Sequence, residues 1–336
     1  MTEVSIIGLD IAKRVFQVHG VGTDERVIVC RKLRRSEVLN YFKCLPPCLI
    51  GMEACGSSHY WARELMKLGH AVKLMPAQYV KAYVKRQKND AADAEAICEA
   101  VSRPMMSFVA VKGEEQQGLL MLHRSRDLLV RQKVALINAL RSHLAEFGIV
   151  ARTGIMGVRE LKVVVVEENT LPSTACSALK SLIRQIEELE EGIVQLEKDI
   201  LSFHRENEMS QRLSTIPGIG PLTASALCAT ITSIEEFRSA RHLSAYLGLV
   251  PRQSSSGGRE RLGSITKAGD GYIRKLLVVG ATAVLRLSKK KSHALMRWGN
   301  RLLEKKPFKV VAIALANKIA RLVWVLLTRN ERFNGI

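Results

Sequence analysis

The sequence predicts an α/β domain at the N-terminus, then an all-α segment with a coiled-coil pattern, then a mainly α-helical C-terminal domain. The assignment rests on three features. Short apolar runs rich in β-branched residues alternate with helical segments over the first hundred residues. Apolar residues then recur at intervals of three, four and seven over two long stretches between 114 and 203. Helical patterns broken by glycine- and serine-rich loops fill the rest. The boundaries fall at 1–112, 113–209 and 210–336, and 336 residues suffice for more than one core.

Taken in order, residues 4–9 form a buried-strand run ending at Asp10. Residues 15–21 and 26–33 are two more strands around the turn cluster Gly22-Thr23-Asp24. Ser36 is the expected cap of a short helix. Residues 49–53 form another strand, 58–68 a helix carrying Trp61, Leu65 and Leu68, and 71–75 a last strand before Pro76. From 114 to 147 the pattern is helical through Leu119, Leu122, Leu129, Leu136, Leu140 and Leu144, and Gly148 stops it. The run 163–166, all valine, has no clear place. Leu179, Ile186, Ile193 and Ile200 lie seven apart, as do Leu182, Leu189, Leu196 and Phe203. These are the a and d positions of four heptads. One helix packed on its own domain, an antiparallel hairpin with 114–147 and a dimer contact all satisfy the pattern. Glu187, Glu188, Glu190 and Glu191 make its flanks acidic, so it should not face nucleic acid.

Charge narrows the function. Lys plus Arg number 51 against 32 Asp plus Glu, a net charge of +19. Residues 210–336 hold 22 basic and 6 acidic side chains, +16 of that excess. Such a field points to a polyanion. The start of the chain lacks a secretory pattern, and the apolar tail 310–327 is broken by Lys318 and Arg321, so neither secretion nor a membrane is expected. Seven scattered cysteines read as reduced thiols of a cytoplasmic protein.

Asp10 and Glu53 close two apolar strands, where a carboxylate must be satisfied by something else. Asp90 and Asp93, three apart, share a helix face. Turn, cap and solvated-face roles account for each acid singly. Brought together, four carboxylates raise one another's pKa unless cations hold them, and Mg²⁺ or Mn²⁺ suit oxygen ligands. Two such ions would serve phosphoryl transfer.

Ile-Gly-Leu-Asp-Ile-Ala-Lys at 7–13, Gly-Met-Glu-Ala-Cys-Gly at 51–56 and Lys-Asn-Asp-Ala-Ala-Asp-Ala at 88–94 resemble the motifs of DEDD-type bacterial insertion-sequence transposases, relatives of the Piv-type DNA invertases. The resemblance implies an RNase H-like, RuvC-like first domain. It also implies that Asp10, Glu53, Asp90 and Asp93 bind two Mg²⁺ or Mn²⁺ ions. It continues through Pro-Gly-Ile-Gly-Pro at 217–221, which reads as a helix-hairpin-helix turn with Gly218 and Gly220 close to phosphate. The stretches 246–259 and 263–270 are similar to the C-terminal domain of the same transposases.

In that family a serine followed by glycine attacks DNA. The matching position is Ser256, before Gly257, although Ser254 and Ser255 precede it. A serine is a weak nucleophile until activated. Arg252, Arg259, Arg261 and Lys267, with Arg274 and Lys275, are the expected phosphate contacts. The serine and the acids fall in separate domains, which implies a composite active site and a homo-oligomer, dimer or tetramer. The resemblance further implies a structured non-coding guide RNA, a bridge RNA, that pairs with donor and target DNA. A junction-resolving nuclease using water, and a non-enzymatic nucleic-acid binder, are the competing expectations.

Overall fold

A computed structural model describes residues 3–85, 89–167, 171–255, 258–287 and 294–334. Its contacts divide the chain into two compact units, 1–115 and 116–336.

The first unit is built on five strands: β1 (Val4–Ile11), β2 (Val15–Gly22), β3 (Val27–Arg34), β4 (Leu49–Glu53) and β5 (Ala71–Met75). They lie in the order β3-β2-β1-β4-β5. Short turns join β1, β2 and β3, which pair antiparallel. β4 and β5 continue the sheet parallel to β1, as their helical crossovers require. Those crossovers are α1 (Val38–Lys43) and α2 (Ser58–Lys67). α3 (Ala77–Val80) and α4 (Asp90–Val101) follow β5. The expected cap Ser36 is not used: α1 begins at Val38 with Glu37 at its N-cap and no side-chain cap bond.

Strand alternation gives the sheet two apolar faces. Ile7, Leu9, Ile50 and Met52 point to one side and pack with Trp61, Ala62 and Leu65 of α2. Ile6 and Leu49 point to the other and pack with Ala96, Ile97, Ala100 and Val101 of α4. α4 crosses that face at the closest distance a backbone allows. A Cβ on Gly8 would lie 2.1 Å from the Ala94 carbonyl oxygen and 2.8 Å from the Cys98 Cβ. Only glycine at position 8 admits the helix.

The second unit contains α5 (Glu114–Ala145), α6 (Ile155–Glu167), α7 (Ser173–Glu206), α8 (Glu208–Leu213), α9 (Pro221–Thr230), α10 (Ala240–Tyr246), α11 (Gly271–Leu287), α12 (Ala294–Leu303) and α13 (Phe308–Arg329). It also carries a two-stranded ribbon, β6 (Pro251–Gln253) and β7 (Leu262–Ile265). The valines 163–166 lie in α6, where Val165 is buried. α5 and α7 run antiparallel. The Arg126 guanidinium donates to Glu197 at 2.6 and 2.8 Å, Lys133 pairs with Glu190 at 3.7 Å, and Leu140 and Leu144 share a core with Ile183 and Leu179. Of the three roles open for the heptads, the hairpin within the chain is present. Leu179, Ile186, Ile193 and Ile200 are buried, while Leu182, Leu189, Leu196 and Phe203 remain half-buried.

The main core of this unit gathers Leu213, Leu227, Leu243 and Leu277 around Leu315, Ile319 and Val323 of α13. α13 is long and apolar enough to cross a membrane by length and composition, despite Lys318 and Arg321. Eight of its residues are buried in this core. A buried polar chain ties the hairpin to the rest. The Ser225 hydroxyl donates to the Pro221 carbonyl at 2.7 Å, so it accepts from His123 Nε2–H at 3.1 Å. His123 Nδ1 then accepts from the Tyr272 hydroxyl at 3.1 Å. Burial, helped by the Arg126 charge, pushes the His123 pKa down to about 4, and the ring is neutral.

Candidate active site

The two strand-end acids come together. The β1–β4 register ends at Leu9 beside Met52, and one step further sets Asp10 and Glu53 at the same level of neighbouring strands. Strands lie about 4.8 Å apart. Alternation from Gly8 puts both on the face that α4 covers, and both are half-buried.

Ala94 lies over Gly8, and the Cys98 thiol reaches the Ile6 carbonyl. α4 therefore runs antiparallel to β1, with its first turn toward the Asp10 end. That turn carries Asp90, exposed, and Asp93, half-buried. The Asn89 side chain caps it by accepting from the Ala92 N–H at 2.8 Å. Acids here also complement the helix dipole. Among the described residues no group of three or more His, Cys, Asp or Glu side chains stands close enough to hold a metal ion. Asp10 and Glu53 are thus neighbours, with Asp90 and Asp93 on the covering helix rather than in a closed cage.

A buried amide was missed. Gln17 on β2 is aligned with Asp10 on β1 and with Lys32 on β3. It is 4% exposed, its Nε2 donates to Cys30 Sγ at 3.7 Å, and its Oε1 has no partner among the described residues. Carboxylates at adjacent strand ends and an orphaned amide oxygen in the same row are donors of the kind Mg²⁺ and Mn²⁺ take. The residues fit an oxygen-preferring divalent cation in chemistry. The same end of the sheet carries Lys13, Arg14, Arg34 and Arg35, all exposed, with the Arg35 N–H bonded to the Arg14 carbonyl at 2.9 Å. The Arg35 guanidinium lies 5.0 Å from the centre of the Trp61 ring. None of these cations was singled out in the sequence.

In the second unit, Ser256 and Gly257 lie outside the described residues, as do Lys88 of the third acid motif and 288–293. The ribbon leading to them is described. Pro251 pairs with Ile265 and Gln253 with Leu262. The Ser255 hydroxyl accepts from Gln253 Nε2 at 3.1 Å and from the Arg261 N–H at 3.4 Å. Arg252, Arg259, Arg261 and Lys267 are exposed along this ribbon and its exit. Arg274 and Lys275 are already engaged. Arg274 donates to the carbonyls of Ala268 at 2.6 Å and Leu247 at 3.1 Å, closing the base of the ribbon. Lys275 pairs with Asp127 and lies over the Tyr272 ring.

The turn at 217–221 joins α8 to α9, with Pro221 in the first turn of α9 as expected. Gly218 adopts φ +92°, and a Cβ there would meet the Gly280 carbonyl oxygen at 3.0 Å. Its close backbone neighbour is α11. Gly220 caps α9 with open space around it.

Comparison with known proteins sets the class and then the family. Residues 7–149 match the IS110-type DEDD transposase domain, and residues 210–297 match the transposases of the IS116/IS110/IS902 family. A probable family 20 transposase of Pseudomonas aeruginosa is 50% identical over 330 residues, 97% of each chain. The transposase of insertion sequence element IS1328 from Yersinia enterocolitica is 40% identical over 99% of this chain and 100% of that one. The pilin gene-inverting protein of Moraxella bovis is 32% identical over 130 residues, 38% of this chain and 39% of its own length. The chain belongs to the IS116/IS110/IS902 family of insertion-sequence transposases.

Proposed function

We propose that this transposase cuts and rejoins DNA by phosphoryl transfer to Ser256, with Asp10, Glu53, Asp90 and Asp93 holding one or two Mg²⁺ or Mn²⁺ ions. The observation that carries this reading is the pairing of Asp10 and Glu53 at the ends of parallel strands, under a helix bearing two more acids. The strand order, three antiparallel strands extended by two parallel ones, supports an RNase H-like first domain. When bound, such an ion would neutralise charge on the phosphoryl oxygens.

The serine Oγ attacks phosphorus. One P–O bond to the sugar breaks, the hydroxyl proton passes to a base, and the departing sugar oxygen leaves protonated. The phosphoserine ester keeps the linkage for a second strand end to reverse the step. Arg259 and Arg261, fixed at the mouth of the ribbon, would stabilise the charge that develops. A structured non-coding RNA guiding the choice of DNA, and a homo-oligomer, belong to the same proposal. The net positive charge supports a nucleic-acid partner.

The test is a covalent adduct. Wild-type protein with end-labelled element DNA should give a denaturation-resistant complex whose labelled peptide contains Ser256. Ser256→Ala should abolish it. Cleavage by Ser256→Ala at the wild-type rate, with no adduct from the wild type, would make water the nucleophile. Strand exchange that survives stripping of all RNA would remove the guide.

A further inference from the structure

We infer that Gln17 is a further member of the divalent-cation site, its amide oxygen accepting a hydrogen bond from the hydration shell of the ion. The inference rests on the metal site proposed above and adds to it a residue outside the four acids.

Three observations meet at this side chain. The first is alignment. Gln17 is the register partner of Asp10, and Asp10 stands level with Glu53, so a single row crosses three strands. Residues directly opposite on antiparallel strands share a face, with Cβ atoms about 4.5–5.5 Å apart.

The second is burial without satisfaction. Gln17 is 4% exposed, and its Oε1 has no hydrogen-bond partner among the described residues. A buried, unpaired amide oxygen is costly, and native folds rarely keep one without a reason. The third is orientation. The amide turns its nitrogen to Cys30 of β3, so the oxygen is the end not engaged there.

An amide oxygen is an acceptor only. Beside a carboxylate it gains nothing from that neighbour, and it needs a donor that none of the described residues supplies. A hydrated divalent cation supplies one. Mg²⁺ binds through one or two carboxylates and keeps several waters, whose hydrogens point outward. Outer-sphere partners of this kind commonly change metal affinity 10–100-fold.

The experiment measures Mn²⁺ binding to the full-length protein by calorimetry and by electron paramagnetic resonance, without DNA. Four proteins are compared: wild type, Gln17→Leu, Gln17→Glu and Asp10→Asn. Asp10→Asn should lose binding. Gln17→Leu should weaken it about tenfold or more. Gln17→Glu, which places a charge where the amide oxygen stood, should bind at least as tightly as wild type.

Thermal unfolding in EDTA separates a structural role. Removal of an orphaned oxygen should leave metal-free Gln17→Leu at least as stable as wild type, whereas a marked fall would show that the fold itself satisfies the oxygen. Should Gln17→Leu not fold, Gln17→Met, with an unbranched side chain, takes its place, and wild-type Mn²⁺ affinity in that variant overturns the inference. Wild-type Mn²⁺ affinity in Gln17→Leu, with binding lost in Asp10→Asn, overturns the inference and leaves the carboxylate site standing. Undiminished binding in Asp10→Asn overturns the carboxylate site instead.

Discussion

His123 joins two hydroxyls on two other helices, and its neutrality makes the fold sensitive to acid. Its pKa is depressed to about 4 in the folded protein against 6.5 when free, first by burial and then by Arg126, with Asp270 opposing. The unfolded chain therefore takes up the proton first as pH falls. Stability is fully present above pH 6.5 and declines from there toward pH 4. The loss is about 2 kcal/mol at pH 5. His123→Gln should flatten this slope, as read by urea unfolding at pH 7 and pH 5. An unchanged slope would assign the acid sensitivity elsewhere.

The burial of Gln17, the residue proposed to join the site, escaped the sequence for a local reason. Val-Phe-Gln-Val-His-Gly at 15–20 is an ordinary half-buried strand, and alternation assigns the glutamine to a polar face. Its burial comes from α4, whose residues lie more than seventy positions later. Asp10 and Glu53 stood out for the opposite reason: a charge at the end of an apolar strand violates local pattern, whereas Asp90 and Asp93 on a helix face stood out through the motif resemblance alone.

The contact of α4 with the sheet decides whether the acids can act together. Gly8 is the position that controls it, since Ala94 and Cys98 sit where a side chain would be. Gly8→Ala should cost about 1–3 kcal/mol through overpacking and lift the first turn of α4 from the strand ends. The readouts are a lower Tm and weaker Mn²⁺ binding in the same variant. Normal Mn²⁺ affinity at reduced Tm would mean that the α4 acids take no part.

Element types were mostly readable from periodicity: 114–147 matches Glu114–Ala145 closely, and the heptads from 179 to 203 fall inside the longer helix Ser173–Glu206. Two local details came only with the fold. A β-branched run at 163–166 belongs to a helix, because burial of Val158, Leu161 and Val165 on one face outweighs intrinsic preference. Gly218, expected close to phosphate, also packs its backbone on Gly280. A sequence shows that a glycine is needed, not what approaches it.

Taken whole, the chain is a basic protein, and exposed cations line one ribbon and one sheet end. Log affinity for duplex DNA should fall linearly with log salt. Arg259→Gln with Arg261→Gln should reduce the slope by about two if both touch phosphate. Fluorescence anisotropy across a salt series reads this directly, and an unchanged slope would free both side chains from DNA contact. Arg274→Gln should behave differently. It should loosen the ribbon through the Leu247 and Ala268 carbonyls and lower Tm.

The burial of α13 has a consequence for synthesis on the ribosome. α8, α10 and α11 all contribute to a core that α13 completes, and α13 is translated after each of them. Until it emerges, those helices present an open apolar surface to the cytosol and to chaperones. A gene copy with a stop codon before position 308 therefore yields no folded second unit. Only the first unit, which has its own core, can fold in such a product, and the unfolded remainder is cleared or aggregates. Decayed copies of the element would then be silent.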